Sequence, residues 1–371
     1  MSDAAPAPVA PGLVGRRPIL VTGGAGFIGS NLADRLAADG HDVLVYDALA
    51  RPGVDRNLAW LTERHPRRIS AVVADVRSAD ELAAAARDAS AVFHLAAQVA
   101  VTTSLVDPVA DFDINVRATV SLLEALRRRD DPPPLVFAST NKVYGDLADI
   151  GLEDTGDAYL PADTDVREAG IGESRPLDFH TPYGCSKGAA DQYVLDYARS
   201  FDVPTAVIRM SCIYGQRQMG TEDQGWVAHF AIRALEGEPI SIYGDGAQVR
   251  DVLDVSDAVE AYVAALRDIR AISGRAFNLG GGPENAISLR HLIRHLSDLT
   301  GREVSTQYSD WRPGDQRYFV ADSRAIRAAL GLKSPVPWRQ GVAALVAWLK
   351  AERGLDAPEP ARMIAPAAAL T

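Results

Sequence analysis

ILVTGGAGFIGSNLADRLA, Ile19 to Ala37, is the stretch whose reading decides the fold. An apolar run of strand length passes through closely spaced glycines straight into a helical pattern. The run is hydrophobic throughout rather than alternating, which marks a strand covered on both faces. Five more runs share that character: DVLVYD (Asp42 to Asp47), ISAVVAD (Ile69 to Asp75), AVFHLAA (Ala91 to Ala97), LVFAS (Leu135 to Ser139) and TAVIRM (Thr205 to Met210). Helical patterns separate them, among them Ser30 to Ala38, the segment from Asp107-Pro108 to Arg129, and Tyr183 to Arg199 behind Thr181-Pro182. Proline just inside a helix start is a usual entry signal.

Strand and helix in alternation predict an α/β chain built on a doubly wound parallel sheet of the Rossmann type. Beyond Tyr214 the elements shorten and Gly and Pro become more frequent. That change predicts a smaller C-terminal substrate-binding α/β lobe over the carboxyl ends of the strands. Residues 18–215 are assigned mainly to the first domain and 216–353 mainly to the lobe, with some strands and helices returning to the first domain. The Ala/Pro-rich ends, 1–17 and 354–371, read as poorly ordered tails.

Composition narrows the function. The 371 residues carry a formal charge of -11, so the chain lacks the field that gathers nucleic acid or anionic lipid, and an anionic ligand needs locally placed cations. Two cysteines, Cys185 and Cys212, are too few for a disulfide framework, lack metal-ligand spacing, and fit a reducing, cytoplasmic setting with no metal. Nothing near either one in sequence argues for a reactive thiolate. No apolar run reaches the roughly 18 residues of a spanning helix, and the start has no basic segment leading into an apolar one, so no membrane partner is expected.

The first chemical signal is Gly23-Gly24-Ala25-Gly26-Phe27-Ile28-Gly29, a G-x-x-G-x-x-G pattern between strand and helix. A tight turn alone could require such glycines. Here Asp47 closes the second strand, where a carboxylate can hold the adenosine ribose hydroxyls of a dinucleotide whose pyrophosphate lies on the helix N-terminus. The carboxylate would repel a 2′-phosphate, so NAD is favoured over NADP even with Arg51 nearby. Asp75-Val76, at the end of the third strand, suits a clamp on the adenine or is an ordinary strand end.

The second signal is Tyr183-Gly184-Cys185-Ser186-Lys187, a tyrosine and a lysine four apart at a helix start and so on one face. A free phenol, with a pKa of roughly 10, is a poor base near neutrality. A neighbouring ammonium and a positive nicotinamide ring would lower it. Lys187 also has donors to spare for the nicotinamide ribose. The third signal is STNKVYGDL, Ser139 to Leu147, where a core strand delivers Ser, Thr, Asn and Lys together.

With these elements the chain resembles the extended short-chain dehydrogenase/reductase family, the NAD-dependent nucleotide-sugar epimerases and dehydratases, from Ile19 to about Arg353. The resemblance implies that Thr140, four residues before Tyr144-Gly145, completes a catalytic set with Tyr183 and Lys187. It implies cofactor contacts from Gly23, Gly26, Phe27, Ile28 and Gly29, from Asp47, Asp75 and Val76, and from Leu95, Ala96, Ala97 and Asn115. For a nucleotide-diphosphate sugar it implies Ser104, Asn141, Lys142, Cys212 and Trp226, with Arg250 and Arg312 on the diphosphate; Arg217 and Arg317 are weaker candidates.

Family dehydratases carry Asp and Glu directly after that threonine, whereas this chain has Asn141 and Lys142, which disfavours elimination of water. What remains is transient oxidation of a carbinol and re-reduction on the opposite face. Longer blocks such as LDFHTPYGCSKGAADQYVLDYAR (Leu177 to Arg199) and GDQRYFVAD (Gly314 to Asp322) resemble family members that act at C2 of a CDP-hexose in deoxysugar biosynthesis; inversion at C4 is the alternative, and net oxidoreduction a lesser one. Two departures stand out. Cys212 and Gln216 replace the Asn and Pro of the family's R-x-x-N-x-Y-G-P, and Ala118 replaces the Gly of N-V-x-G-T. The helices after Pro108 and Tyr183 resemble the family's dimer bundle, so a homodimer or homotetramer is expected.

Overall fold

A computed structural model describes residues 17–312 and 314–355. Of the two ends read as tails, 1–17 and 354–371, residues 1–16 and 356–371 lie outside the described residues.

The strands in chain order are β1 (Ile19–Thr22), β2 (Val43–Asp47), β3 (Ile69–Val73), β4 (Ala91–His94), β5 (Leu135–Thr140), β6 (Leu152–Asp154), β7 (Tyr159–Pro161) and β8 (Thr205–Met210). There follow β9 (Cys212–Tyr214), β10 (Ile240–Tyr243), β11 (Val249–Asp254), β12 (Arg275–Leu279), β13 (Ala286–Ser288), β14 (Thr306–Ser309) and β15 (Tyr318–Phe319). Seven of them form one sheet in the order β12-β8-β5-β4-β1-β2-β3. Every pairing in it is parallel. The doubly wound parallel sheet is therefore as the six apolar runs predict. The seventh strand, β12, has no counterpart among those runs.

Alternation along the strands explains the two covered faces. Val21, Val45, Val136 and Ala138 point into one core, shared with the helices Phe27–Ala38 and Val255–Arg267. Leu20, Leu44, Leu135 and Phe137 point into the other, shared with Ala118–Arg127 and Thr181–Phe201. Side chains two apart in a strand share a face, so a strand buried on both sides must be apolar at every position. A third core joins Trp226–Glu236, Leu289–Thr300 and Trp338–Glu352 beneath β10 and β11.

The helical segment after Pro108 is continuous but not uniform. It runs as α-helix over Pro108–Phe112, as π-helix over Asp113–Arg117, and as α-helix again over Ala118–Arg127. Asn115 sits in the π stretch, where the widened turn aims its side chain at Gln98 and Ser186.

The helix Thr181–Phe201 is braced by a buried ion pair. Asp191 accepts from Arg209 Nε and Nη2 on β8, each at 2.9 Å, and from Ser139 Oγ on β5 at 2.8 Å. Arg209 also donates to Tyr144 Oη at 3.1 Å. A bidentate pair this enclosed is stable only while both charges remain. Asp191→Ala is expected to lower the unfolding free energy by about 3–5 kcal/mol, because it strands a buried guanidinium. Urea denaturation checks this, and a loss under about 1 kcal/mol would show that the brace is unimportant.

Candidate active site

The glycines work by close approach. Gly23 has φ +68°, and a Cβ on it would lie 2.7 Å from Ala96 N. A Cβ on Gly29 would lie 2.1 Å from Gly23 O, which pins the helix start against the turn. Gly26 caps the helix Phe27–Ala38 without a side-chain hydrogen bond, so the first N–H groups of the helix keep free donor capacity toward the cavity. Asp47 is held rigidly beside this turn: its Oδ2 accepts from Ala25 N at 3.0 Å and its Oδ1 from Leu49 N at 2.9 Å. Each oxygen retains a lone pair for a diol.

The carboxyl ends of β1, β4, β5 and β8 open into one cavity of about 650 Å³, roofed by the lobe. That position is the usual ligand crevice of an open α/β sheet. The glycine turn, Asp47, Asp75, Val76 and Leu95 to Ala97 line one end. Arg51 lines it too, and Arg77 holds the Asp75 carboxyl below the usual carboxylate range.

Thr140, Tyr183 and Lys187 meet in the middle. Tyr183 shares a hydrogen bond with the Thr140 hydroxyl, yet burial dominates and pushes its phenol up to about 12. Lys187 donates from Nζ to Ala138 O at 2.6 Å and sits 4.2 Å from the centre of the Phe137 ring. Burial pulls its amine down to about 7, against the pull of Asp191 and Asp111. The protein's own groups therefore do not produce the expected depression of the phenol by its lysine: desolvation raises the phenol and lowers the amine at once.

Two assigned residues do not reach the cavity. Ser104 is fully buried, donating to Val101 O at 2.7 Å and accepting from Tyr183 N at 3.2 Å. Its hydroxyl positions the backbone of Tyr183 and does not line the cavity. Asn115 is likewise consumed, accepting from Gln98 N and donating to Gln98 O, Asp111 and Ser186. It ties the loop after β4 to the helix Thr181–Phe201, and of this loop Leu95, Ala96 and Ala97 line the cavity. Arg217 and Arg317 also stand outside, stacked on Trp60 at 3.9 Å and on Trp311 at 5.4 Å.

Asn141, Lys142, Cys212, Trp226, Arg250 and Arg312 line the other end. Lys142 donates to Gly314 O at 3.0 Å, and burial, then Arg250, pulls its amine down to about 8. Burial pushes the Cys212 thiol up, which keeps it out of thiolate chemistry. Both arginines carry carboxylate partners that sequence reasoning missed. Arg250 Nη2 bonds Asp315 at 2.7 Å; Arg312 bonds Glu222 at 3.0 Å and Asp223 at 3.4 Å while lying over Tyr243 at 3.7 Å. These acids sit in loops far away in sequence, and only the fold brings them to the cations.

The chain belongs to the NAD dependent epimerase/dehydratase family, whose model matches residues 19–280. Among its relatives, CDP-paratose 2-epimerase of Salmonella typhi is 42% identical over 89% of this chain and 98% of its own length. UDP-glucose 4-epimerase of Mycolicibacterium smegmatis is 34% identical over 89% of this chain and 98% of its own. Of solved structures, the Thermus thermophilus UDP-glucose 4-epimerase complex with NAD aligns at TM-score 0.74 and 30% identity over 90% and 99% of the two chains.

The buried amine of Lys187 and the half-buried one of Lys142 give the protein a testable pH response. Lys187 and Lys142 titrate at about 7 and about 8 when folded but at about 10.4 when unfolded, so across that window the unfolded chain binds more protons. Stability without added ligand is therefore expected to rise from pH 7 toward pH 9, with Lys187 contributing up to about 1.4 kcal/mol per pH unit. Above about pH 10 the trend reverses, since folded Tyr183 holds a proton that the unfolded phenol releases. Thermal melts of wild type against Lys187→Met check the sign; an unchanged slope in the variant would refute it.

Proposed function

We propose that this chain inverts C2 of a CDP-activated hexose, through a ketone that stays bound until it is reduced from the other face. The observation that carries the reading is the placement of Thr140, Tyr183 and Lys187 between a glycine-rich turn suited to a dinucleotide and the cations Lys142, Arg250 and Arg312. The similarity to CDP-paratose 2-epimerase supports the sugar carbon and the base.

The turn from Gly23 to Gly29, Asp47 at the adenosine ribose and Lys187 at the nicotinamide ribose would hold NAD, which would supply a reversible hydride acceptor for the carbinol carbon. Tyr183 takes the proton of the carbinol hydroxyl at its phenol oxygen and gives it back when the alcohol re-forms, so protons and electrons balance with no net oxidation. Thr140 shares its hydroxyl with that phenol and steadies the substrate oxygen. Asn141 and Lys142 stand where expulsion of water would need carboxylic acids, which supports epimerisation over dehydration.

The working unit proposed is a cytoplasmic homo-oligomer. Val106, Val109 and Phe112 are exposed beside Tyr193 of the helix Thr181–Phe201, an apolar surface that a second copy would cover. Among the described residues no helix is long and apolar enough to cross a membrane.

Incubation with CDP-hexoses in deuterated buffer, followed by product NMR, tests the reaction: inversion at C2 without net NADH is expected, whereas inversion only at C4, or stoichiometric NADH release, overturns it. Tyr183→Phe is expected to cut kcat by about 10²–10⁴-fold with NAD binding retained. Turnover unchanged in that variant would remove the phenol from the mechanism.

A further inference from the structure

The substrate end of the cavity holds a pair of cations with one carboxylate between them. Lys142 follows Thr140 by two residues, and its backbone N–H donates to Thr140 Oγ1 at 3.2 Å. Its amine reaches Gly314 O, and Gly314 packs on Thr181 at the start of the helix that carries Tyr183: a Cβ on Gly314 would lie 2.8 Å from Thr181 Cγ2. Arg250 faces the same place, tied to Val249 O, Gln316 O and Asp315. The charged or titratable groups acting on Lys142 are Arg250, which repels it, and Asp315, Cys212 and Asp146, which favour its charge. Of these only Asp315 closes an ion pair in the cluster, and it does so with Arg250. Two enclosed cations sharing one carboxylate form a site for a further anion.

Where that site lies has a chemical consequence. In a nucleotide hexose the phosphate hangs on the anomeric oxygen. C2 is bonded directly to the anomeric carbon, whereas C4 lies across the ring. Lys142 branches from the turn directly after Thr140, and the carbonyl its amine bonds belongs to Gly314, which packs on Thr181 two residues before Tyr183, so a phosphate on this amine would stand on the Thr140 and Tyr183 side of the substrate end, which fits C2. Arg312, toward the lobe, then suits the outer phosphate, displacing Glu222 and Asp223.

We propose that Lys142, with Arg250, grips the phosphate on the anomeric oxygen and so seats C2 rather than C4 against Thr140 and Tyr183. Lys142 thus determines which carbon reacts and takes no part in proton or hydride transfer. The inference rests on the 2-epimerase reading, and the experiment separates the two.

Wild-type protein loaded with NAD is first given CDP-hexoses and the product read by NMR; absence of C2 inversion defeats the reading itself. With C2 inversion in hand, Lys142→Met and Lys142→Arg are compared by CDP titration, KM, kcat and the ratio of C2- to C4-inverted product, with NAD affinity as the check on folding. Lys142→Met is expected to weaken CDP binding and raise KM by about tenfold or more, since a charge-assisted contact to phosphate is lost, and to let C4-inverted product appear. Lys142→Arg is expected to keep C2 inversion within a few fold. CDP affinity of the wild type is expected to fall as pH rises from 7 to 9.5, as the amine loses its proton. Normal KM and an unchanged product ratio in Lys142→Met overturn the proposal; should that variant not fold, pH-independent CDP binding by wild type, or loss of C2 inversion in a folded Lys142→Arg, does so instead.

Discussion

The hydrogen bond from Lys187 Nζ to Ala138 O joins the helix Thr181–Phe201 to the end of β5, and the site depends on that junction. The lysine lies over the Phe137 ring, and one turn on Asp191 receives Arg209 of β8 and Ser139 of β5. Two residues on one helix face thus tie it to two adjacent central strands. Since i and i+4 share a face, the geometry that locks Lys187 also fixes Tyr183, and Tyr183 is fixed again through its backbone by Ser104. Thr140 is the next residue but one after Ala138 on the same strand. A shift of that helix would therefore move base and lysine away from the hydroxyl together.

The charge pattern follows from the same enclosure. The chain is acidic overall, so anionic ligands receive no help from a long-range field, and local devices hold them instead. At one end these are a helix N-terminus and backbone donors beside the Asp47 carboxylate. At the other they are arginines and a lysine, each already engaged by Asp315, Glu222, Asp223 or a carbonyl. Pre-formed partners keep buried cations from standing uncompensated before a ligand arrives. A ligand must then displace those partners, which makes binding selective for groups with more charge or better geometry than a single carboxylate.

Much of this was legible in the sequence because both signals are local. Apolar runs fix strands, and glycines at a strand-to-helix junction fix the cradle. The edge strand β12 escaped because RAFNL has only a short apolar centre and includes Asn278, whose buried side chain bonds Tyr144 Oη and Ile171 O. Ser104 and Asn115 were assigned to ligands on family position, yet the fold spends their polar atoms on Tyr183, Gln98 and Ser186. Nothing local distinguishes a hydroxyl that bonds substrate from one that holds the residue that does. The acidic partners Glu222, Asp223 and Asp315 were invisible for the same reason, as their meaning comes from tertiary neighbours.

The protein's own groups tune the site against its proposed chemistry, and the direction is informative. Burial alone leaves a phenol at about 12 and an amine at about 7, the reverse of a proton-accepting tyrosine beside an ammonium. Both shifts arise from desolvation, so both are relieved by bringing polar or charged groups into the same enclosed space. A ribose diol beside Lys187 would give its ammonium acceptors, and a positive ring near Tyr183 would favour the phenolate. On the proposed mechanism the site would become competent only with the dinucleotide in place. A base of that kind would suit chemistry that keeps its cofactor through the cycle, because release in mid-reaction would return the phenol to its raised pKa.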